Sequence, residues 1–374
     1  MQKSFQNEVM KKQFFLYLKE VKGFSKDSVD AYERAILLWQ DCTTNKDFAS
    51  FGKQQTRAFK IWIKSRTNRK DETLSLVYIY NVLRRLKGFF DWLSMQPHYK
   101  SKINQVIIEH LSLSKKETRI AIQPNKREIP LMEDVIKVIE TIKIGSDVDR
   151  RDRALICFTL LTGARISAIY SMPMMAFDEA TLTVDQNPKY GVKTKFSKHI
   201  TTTFFPIEYS EAVRYFVEWY RYLKQTKGFT GKDPIFPMAK VENGQQNISY
   251  HNTGEVVPLF WQSSNSARKI FQKRFVDAEI PYYHPHTFRH LVVKEFAKTR
   301  LTEEEKKAIS QNLGHENTGT TFGSYGYGHI EEDRQIDIVK RIKLGDKEID
   351  GKFIFTKEEM KQAMAEAIKE NQKT

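Results

Sequence analysis

The sequence predicts a mainly α-helical protein of two domains with one small antiparallel β-sheet. Apolar residues recur every three or four positions through most of the chain, which is the period of a buried helical face. The length of 374 residues favours two domains, and 40% hydrophobic residues can supply ordinary cores. One short region, residues 181–207, is instead rich in Thr, Val, Phe and Ile, as β-strands are.

The charge balance indicates a polyanionic partner. There are 61 Lys and Arg against 46 Asp and Glu, a net charge of +15, which favours nucleic acid first and an anionic membrane surface second. No stretch approaches the roughly 18 uncharged apolar residues of a membrane span. Cys42 and Cys157 cannot form a disulfide framework or a four-cysteine zinc site, and no charged-then-apolar leader opens the sequence. We expect a cytoplasmic protein without a membrane partner.

The first domain is predicted to span residues 1–112 and to be helical throughout. Weak patterns indicate a helix around Phe14, a second that begins near Ser25 and a third over residues 55–65. The clearest pattern is an apolar stripe with steps of three and four positions. It consists of Leu76, Ile79, Leu83, Leu86, Phe90 and Leu93.

Residues 51–100 concentrate the positive charge. They hold eleven basic and three acidic residues, which leaves a net charge of +8. Such a segment either contacts phosphates or is an ordinary solvated basic face. We predict phosphate contacts, together with two basic residues further along the chain. The candidates are Lys60, Lys64, Arg66, Arg84, Arg85, Lys87, Lys126 and Arg127.

The rest of the chain divides into a linker, a second domain and a tail. Residues 113–130 are polar, basic and interrupted by Pro124 and Pro130, which predicts a linker. The second domain, residues 131–330, is predicted to be mostly helical, and the tail, residues 331–374, to contain a helix over 356–371. The predicted helices cover 132–144, 151–161, 211–226, 266–278 and a stretch after Pro285, and the predicted strands cover 181–184, 190–195 and 200–207.

Two strings in the second domain carry basic groups suited to an anion. Arg165 follows Gly163 at a break in an apolar helix, and an arginine there needs a carboxylate or a phosphate because it cannot shed its charge. A structural ion pair is the alternative. Lys193, Lys195 and Lys198 cluster in a predicted hairpin, where lysines are commonly just solvated.

Two later strings add histidines, an arginine and tyrosines. His286, Arg289 and His290 would share one helical face after Pro285. A zinc site at His286 and His290 is disfavoured, since no Glu follows His286 and no Cys lies nearby. His315 follows a glycine, and a glycine-rich segment then presents Tyr325 and Tyr327.

Together these residues supply what phosphoryl transfer requires: donors for the non-bridging oxygens, an acid for the leaving oxygen and a nucleophile. In their order along the chain they resemble the tyrosine recombinase (phage integrase) family. That family has an Arg in a Thr-Gly-x-Arg context, a hairpin Lys, a His-x-x-Arg pair, a Leu-Gly-His and a nucleophilic Tyr. The matching residues are Arg165, Lys195, His286, Arg289, His315 and Tyr325.

The resemblance implies a fold and a reaction. The fold is an N-terminal helical core-binding (SAM-like) domain joined to a catalytic domain, which together form a C-shaped clamp on duplex DNA. Tyr325 would attack a phosphodiester to give a 3′-phosphotyrosine and a free 5′-hydroxyl, without ATP, metal or any cofactor. Arg165 and Arg289 would hold the non-bridging oxygens. A partner strand's 5′-hydroxyl would reverse the step, so that strands exchange through a Holliday junction.

The resemblance also assigns the remaining groups. Lys195 would protonate the leaving oxygen, His286 would help move the tyrosine proton, and His315 would donate to the phosphate. The family's tyrosine often lies nine positions after the histidine, whereas Tyr325 lies at ten, which leaves Tyr327 as a rival nucleophile. An acid often found three residues after the first arginine is replaced by Ala168.

We therefore expect a bacterial, nucleoid-associated recombinase of a phage or integrative element. Its expected partners are double-stranded DNA attachment sites, three further copies of the chain in a tetramer on synapsed DNA, and DNA-bending accessory proteins. The tail helix would dock on a neighbouring protomer or pack on its own domain. The alternatives are a chromosome-dimer-resolving recombinase, a type IB topoisomerase, a metal-dependent nuclease and a catalytically silent DNA-binding relative.

Overall fold

A computed structural model describes residues 5–123, 128–243 and 250–326 of the chain. The chain divides into two compact units, Met1–Asn125 and Lys126–Thr374, each with a hydrophobic core of its own. Tyr327, the predicted tail helix and the predicted phosphate contacts Lys126 and Arg127 lie outside the described residues. In the described part of the chain, no helix is long and apolar enough to cross a membrane.

The first unit is helical over its described residues. Its helices are α1 (Phe5–Glu20), α2 (Lys26–Cys42), α3 (Lys53–Ser65), α4 (Leu76–Ser94), α5 (Gln105–Ile108) and α6 (Lys115–Ile122). The Ser25 and Ser75 side chains accept backbone hydrogen bonds at the starts of α2 and α4, where the first N–H groups have no partner within the helix. The predicted helices around Phe14, after Ser25 and over residues 55–65 are thus confirmed.

Helix α4 supplies much of the first core. Ile79, Leu83, Leu86, Phe90 and Leu93 of the predicted stripe are all buried, which confirms the stripe. The Phe90 ring lies edge-on to the indole ring of Trp39 on α2, with the two ring centroids 5.0 Å apart, which is a favourable geometry for an aromatic pair.

The predicted linker is wrong for part of its length. Residues 115–122 form α6, which begins with a reciprocal capping box between Ser114 and Glu117. Leu113 and Ala121 are buried in the first core, so this stretch belongs to the first unit. The helix escaped prediction because Ala121 is the only buried residue among its eight, and the apolar period is correspondingly weak.

The second unit is built around α8. Its described helices are α7 (Met132–Thr141), α8 (Asp147–Thr162), α9 (Ile166–Ile169), α10 (Glu211–Gln225), α11 (Ser264–Asp277), α12 (His286–Phe296) and α13 (Glu303–Asn312), followed by a π-helix, Gly319–Gly326. Helix α8 packs against α10, α11 and α12, and most of its residues are buried. The helices predicted for this domain are confirmed within a few residues at each end.

The sheet differs from the prediction. Strands β1 (Phe177–Asp178), β2 (Thr183–Gln186) and β3 (Ile200–Thr203) form an antiparallel sheet in that order, and Val184 faces Thr202. The strand predicted over residues 190–195 is wrong: this stretch is irregular, between short 3-10 turns at Pro188–Tyr190 and Lys195–Ser197.

A second antiparallel pair was not predicted. Strands β4 (Met238–Asn243) and β5 (Tyr250–Val257) pair with each other and form a separate two-stranded sheet. Polar and charged residues make up much of both strands, so the alternation that marks a half-buried strand is weak in the sequence. The expectation of one small sheet is corrected to two.

Candidate active site

Arg165 lies where the central helix ends. Gly163 ends α8 with a φ of +56°, a left-handed conformation that glycine adopts without the strain of a side chain. Two residues later, the carbonyl oxygen of Arg165 accepts hydrogen bonds from the N–H groups of Ala168 and Ile169, which begins α9. The predicted break is therefore present, and it leaves Arg165 half-buried at the junction of the two helices.

Arg289 connects that junction to the turn after α13. Its side chain is buried on α12, and Nη1 donates to the carbonyl oxygen of Gly163 at 2.9 Å. Nη2 donates to the carbonyl oxygen of Leu313 and, at 2.8 Å, to Nε2 of His315. Two distant predicted residues, Arg289 and His315, are thereby in direct contact.

His315 stands at the centre of the predicted set. It is 7% exposed and follows Gly314, whose φ is +69°. Burial, as the largest cause, and the nearby basic groups of four other predicted residues together lower the pKa of its imidazole to about 3. Those residues are Arg289, Arg165, His286 and Lys195. The imidazole is therefore neutral at physiological pH, within a positively charged cluster.

His286 begins α12 on the same side as His290. The two rings contact each other edge to face, with centroids 5.4 Å apart, as the predicted shared helical face requires. The backbone N–H of His286 donates to Nδ1 of His284, which covers one of the first N–H groups of the helix. In the described ranges there is no group of three or more His, Cys, Asp or Glu placed to hold a metal.

Lys195 does not end a strand, although the strand predicted over residues 190–195 implies that it would, so that position gives no reason to prefer it to Lys193 or Lys198. It begins the short turn Lys195–Ser197 and is exposed, with Nζ 4.9 Å from the Phe196 ring centroid. Lys198 forms an ion pair with Glu316, and Lys193 lies 5.0 Å from the Tyr170 ring centroid. The charge of Lys195 acts on His315, and its role as the catalytic lysine stays a prediction.

The π-helix Gly319–Gly326 carries the first candidate nucleophile. Tyr325 belongs to it, and the helix packs against α12, the helix of Arg289 and His286. The choice between Tyr325 and Tyr327 stays a prediction. The sequence did not single out Thr321 of the same helix, which is fully buried with Oγ1 2.8 Å from Nδ1 of His315. A lone threonine carries no charge or motif that would have identified it.

The predicted phosphate contacts of the first unit are partly engaged with their own unit. Lys64 pairs with Glu117, Lys87 with Glu109 at 2.7 Å, and Lys60 donates to the His110 carbonyl oxygen. Hydrogen bonds from Lys64 and from Ser114 together lower the pKa of the Glu117 carboxyl to about 2.

The three arginines of this predicted set differ in their surroundings. Arg66 stacks on Trp62 at 4.9 Å from the ring centroid, and Arg84 is exposed. Burial and the neighbouring Arg84 lower the pKa of Arg85. Contact with DNA stays a prediction for the whole set.

The fold and the cluster together define a class of protein. A helical unit that gathers arginines, histidines and a lysine beside a tyrosine-bearing helix is the arrangement of a tyrosine-dependent strand transferase. Residues 130–329 match the model of the phage integrase family. The chain belongs to this family and is a site-specific tyrosine recombinase.

Individual relatives are distant. The chain is 23% identical to the tyrosine recombinase XerC of Lactobacillus leichmannii over 323 residues, 83% of this chain and 92% of the relative. The XerC of Lactobacillus delbrueckii subsp. bulgaricus is similar to the same extent, at 23% identity over 323 residues, 83% of this chain and 92% of that relative.

Solved structures share the fold. The site-specific recombinase XerH bound to a palindromic difH substrate has a TM-score of 0.56 at 14% identity, over 91% of this chain and 90% of that one. A lambda integrase tetramer bound to a Holliday junction has a TM-score of 0.55 at 12% identity, over 87% of this chain and 80% of that one. At such identities the likeness concerns the fold alone.

Proposed function

We propose that this recombinase cleaves and rejoins DNA strands through a 3′-phosphotyrosine on Tyr325, and that it is encoded by a phage or an integrative element. The observation that carries the proposal is the convergence on His315 of Arg165, Arg289, His286 and Lys195, residues spread over more than a hundred positions of the sequence. A scissile phosphate is the ligand that such a positive, partly buried cluster favours.

The two arginines are proposed to hold the non-bridging oxygens while negative charge builds on phosphorus. A guanidinium keeps its charge at any working pH and can donate two parallel hydrogen bonds to a phosphate. Arg289 is already oriented by two backbone carbonyl oxygens, those of Gly163 and Leu313, so little reorganisation is needed when the phosphate arrives.

The remaining proton transfers are assigned to Lys195 and His286. The leaving 5′-oxygen needs a proton donor and the attacking phenol needs a proton acceptor, and an ammonium and an imidazole can fill these two roles. We assign Lys195 to protonate the leaving 5′-oxygen and His286 to accept the tyrosine proton. Because the bond energy is kept in the phosphotyrosine link, no ATP is consumed.

The π-helix supports Tyr325 over Tyr327. A π-helix takes up more residues per turn than an α-helix, since its hydrogen bonds span five residues rather than four. Tyr325 lies ten positions after His315, one more than the spacing often found in the family, and the π-helix Gly319–Gly326 can accommodate the extra residue.

A nicked suicide duplex tests the reaction. When a nick lies just beyond the cleaved bond, the short 5′-hydroxyl fragment diffuses away and the covalent adduct accumulates. We would tile such duplexes across the DNA that flanks the gene and detect the adduct by denaturing electrophoresis. We expect wild type to form it in EDTA, Tyr325→Phe to bind duplex without forming it, and the matched control Tyr327→Phe to form it.

Two outcomes would contradict the proposal. If Tyr327→Phe loses the adduct and Tyr325→Phe keeps it, the nucleophile is Tyr327. If wild type binds every duplex and forms no adduct with any, the chain is a catalytically silent DNA-binding relative. Mass spectrometry of the adduct identifies the modified peptide independently of either substitution.

We propose an assembly as well. We expect four protomers on two synapsed sites, with the tail helix on a neighbouring protomer. The lambda integrase tetramer on a Holliday junction supports the tetramer. Deletion of residues 350–374 should abolish synapsis and leave single-site binding intact. If both synapsis and single-site binding survive the deletion, the tail helix packs on its own domain.

Chromosome-dimer resolution is the second candidate. Its support is the 23% identity to XerC, which extends over 92% of that relative. The two functions use the same chemistry and differ in the DNA that is joined. Recombination between two copies of one chromosomal site would favour dimer resolution, whereas recombination between an element's ends and a host site would favour integration.

A further inference from the structure

His315 is held between two groups whose hydrogen-bonding capacities differ. Arg289 Nη2 and Thr321 Oγ1 each lie 2.8 Å from an imidazole nitrogen, the first from Nε2 and the second from Nδ1. A guanidinium has donors and no acceptor, so Nε2 must accept. The neutral imidazole therefore carries its proton on Nδ1 and donates it to the threonine hydroxyl.

This tautomer cannot donate to a phosphate, the role that the family resemblance implies for His315. To donate to a phosphate oxygen, Nε2 must carry a proton, either in the imidazolium or in the other neutral tautomer. The basic groups Arg289, Arg165, His286 and Lys195 act on the ring, and they and burial disfavour the imidazolium. The neutral Nε2–H tautomer remains, and in that form Nδ1 needs a donor instead of an acceptor.

A hydroxyl is suited to that exchange, since it can accept a hydrogen bond or donate one. We propose that Thr321 is a positioning residue that supports both neutral tautomers of His315. It accepts from Nδ1–H when Arg289 occupies Nε2, and it donates to Nδ1 when a phosphate takes that place. The proton balance closes through water: Nδ1 loses a proton, Nε2 gains one, and the ring stays neutral.

The position of Thr321 gives the exchange a consequence. It lies in the π-helix Gly319–Gly326, four residues before Tyr325, so the same hydrogen bond connects the helix of the proposed nucleophile to the phosphate-binding cluster. The inference rests on the proposed function, because it assigns a purpose to a contact of that site.

The substitutions are chosen to isolate the hydroxyl. Thr321→Val has nearly the same shape and no hydroxyl, Thr321→Ser keeps the hydroxyl, and Thr320→Val makes the same chemical change at an exposed neighbour. With the full chain and the nicked duplex, we expect single-turnover adduct formation to fall about 10- to 100-fold in Thr321→Val, the usual cost of losing such a supporting group. Thr321→Ser and Thr320→Val should stay near wild type, and duplex affinity should be unchanged throughout.

Nitrogen NMR of the His315 ring supplies a readout that a merely structural role would not move. In wild type without DNA we expect the neutral form with its proton on Nδ1. With Tyr325→Phe on duplex DNA we expect the proton on Nε2, and with Thr321→Val/Tyr325→Phe on DNA a mixture of forms.

The two hypotheses fail in different ways. A wild-type adduct with an unchanged rate in Thr321→Val overturns the role of Thr321, as does a DNA-free His315 whose Nδ1 carries no proton. The absence of any wild-type adduct overturns the proposed function, and the DNA-free ring spectrum still tests the tautomer. If Thr321→Val does not fold, a loss of rate in Thr321→Ser at unchanged affinity also counts against the inference.

Discussion

Arg289 donates a hydrogen bond of 2.9 Å to the carbonyl oxygen of Gly163, across 126 residues of sequence. This contact connects α12 to the end of α8, two residues before Arg165. A buried guanidinium is costly unless its donors are occupied, and two backbone carbonyl oxygens accept from Nη1 and Nη2. The glycine is therefore part of the support of the phosphate-binding cluster as well as a helix end.

Gly163→Ala should lower both stability and cleavage. Its φ of +56° is strained for alanine, and a Cβ there would lie 2.8 Å from Cδ2 of the buried Leu313 side chain. Leu313 would have to move, and its carbonyl oxygen accepts from Arg289. We expect a loss of about 2 kcal/mol or more in the free energy of unfolding. Urea denaturation and the adduct assay measure the two effects.

Gly191→Ala is the matched control. Its φ is +85°, and nothing lies within 4 Å of the added Cβ, so only backbone strain applies. We expect a loss of about 1 kcal/mol with unchanged cleavage. Equal effects of the two substitutions on cleavage would show that the space around Gly163 is unimportant.

Some of this arrangement could be predicted from sequence because its signals are local. The glycine before Arg165, the helical face of His286 and His290, and the stripe that ends at Leu93 each fit within one element. The predictions that failed depend on the backbone or on distant partners. Phe196 and Ser197 adopt φ of +59° and +51°, for which neither residue type has a preference, so the predicted strand at Lys195 became a turn.

Thr321 and α6 illustrate the second kind of limit. The hydroxyl of Thr321 is informative only because the turn after α13 brings His315 within 2.8 Å of it. Helix α6 begins with a capping box, which is a local signal, but its burial at Ala121 depends on packing against α4. Tertiary contact decides such cases, and the apolar period alone does not report it.

The neutral His315 should make stability fall in acid. Burial, together with the neighbouring basic groups, lowers its pKa from 6.5 to about 3 in the folded state. Between about pH 6.5 and pH 3, His315 is therefore protonated in the unfolded chain and neutral in the folded protein, so stability falls as the pH falls. We expect His315→Gln to reduce the slope of unfolding free energy against pH between those values by about 1 kcal/mol per pH unit. Urea titrations at pH 7, 6 and 5 compare the slopes, and parallel curves for the two proteins would contradict the assignment.

Asp152→Asn should strongly destabilise the second unit. One Asp152 oxygen accepts from Arg151 at 2.7 Å and the other from Arg274 at 2.9 Å, and all three side chains are buried. Removal of the carboxylate charge takes the ion-pair partner Asp152 from the buried Arg151 and leaves the buried Arg274 with its second partner, Asp149 at 2.6 Å. Breaking a buried ion pair from one side costs about 3–5 kcal/mol.

An exposed ion pair provides the comparison for Asp152. Arg214 and Glu218 lie one helical turn apart at 3.0 Å with half-exposed side chains. Glu218→Gln should change the free energy of unfolding far less than Asp152→Asn does, because solvent screens an exposed pair. Guanidinium denaturation measures both variants, and similar losses would refute the special cost of the buried charges.

Glu117→Gln should strengthen DNA binding if Lys64 contacts a phosphate. Glu117 holds Lys64 in an ion pair, and glutamine releases the ammonium while it can still serve the capping box at Ser114. One further neutralised phosphate should steepen the slope of log affinity against log salt by about 0.9, and Lys64→Gln should remove that gain. The double variant Glu117→Gln/Lys64→Gln should therefore bind like Lys64→Gln alone.

Glu8→Gln is the control, because it removes the same charge beside Lys11, whose side chain is 8% exposed and cannot reach DNA. Fluorescence anisotropy over a salt series measures each slope, and a steeper slope in Glu8→Gln as well would attribute the effect to net charge alone.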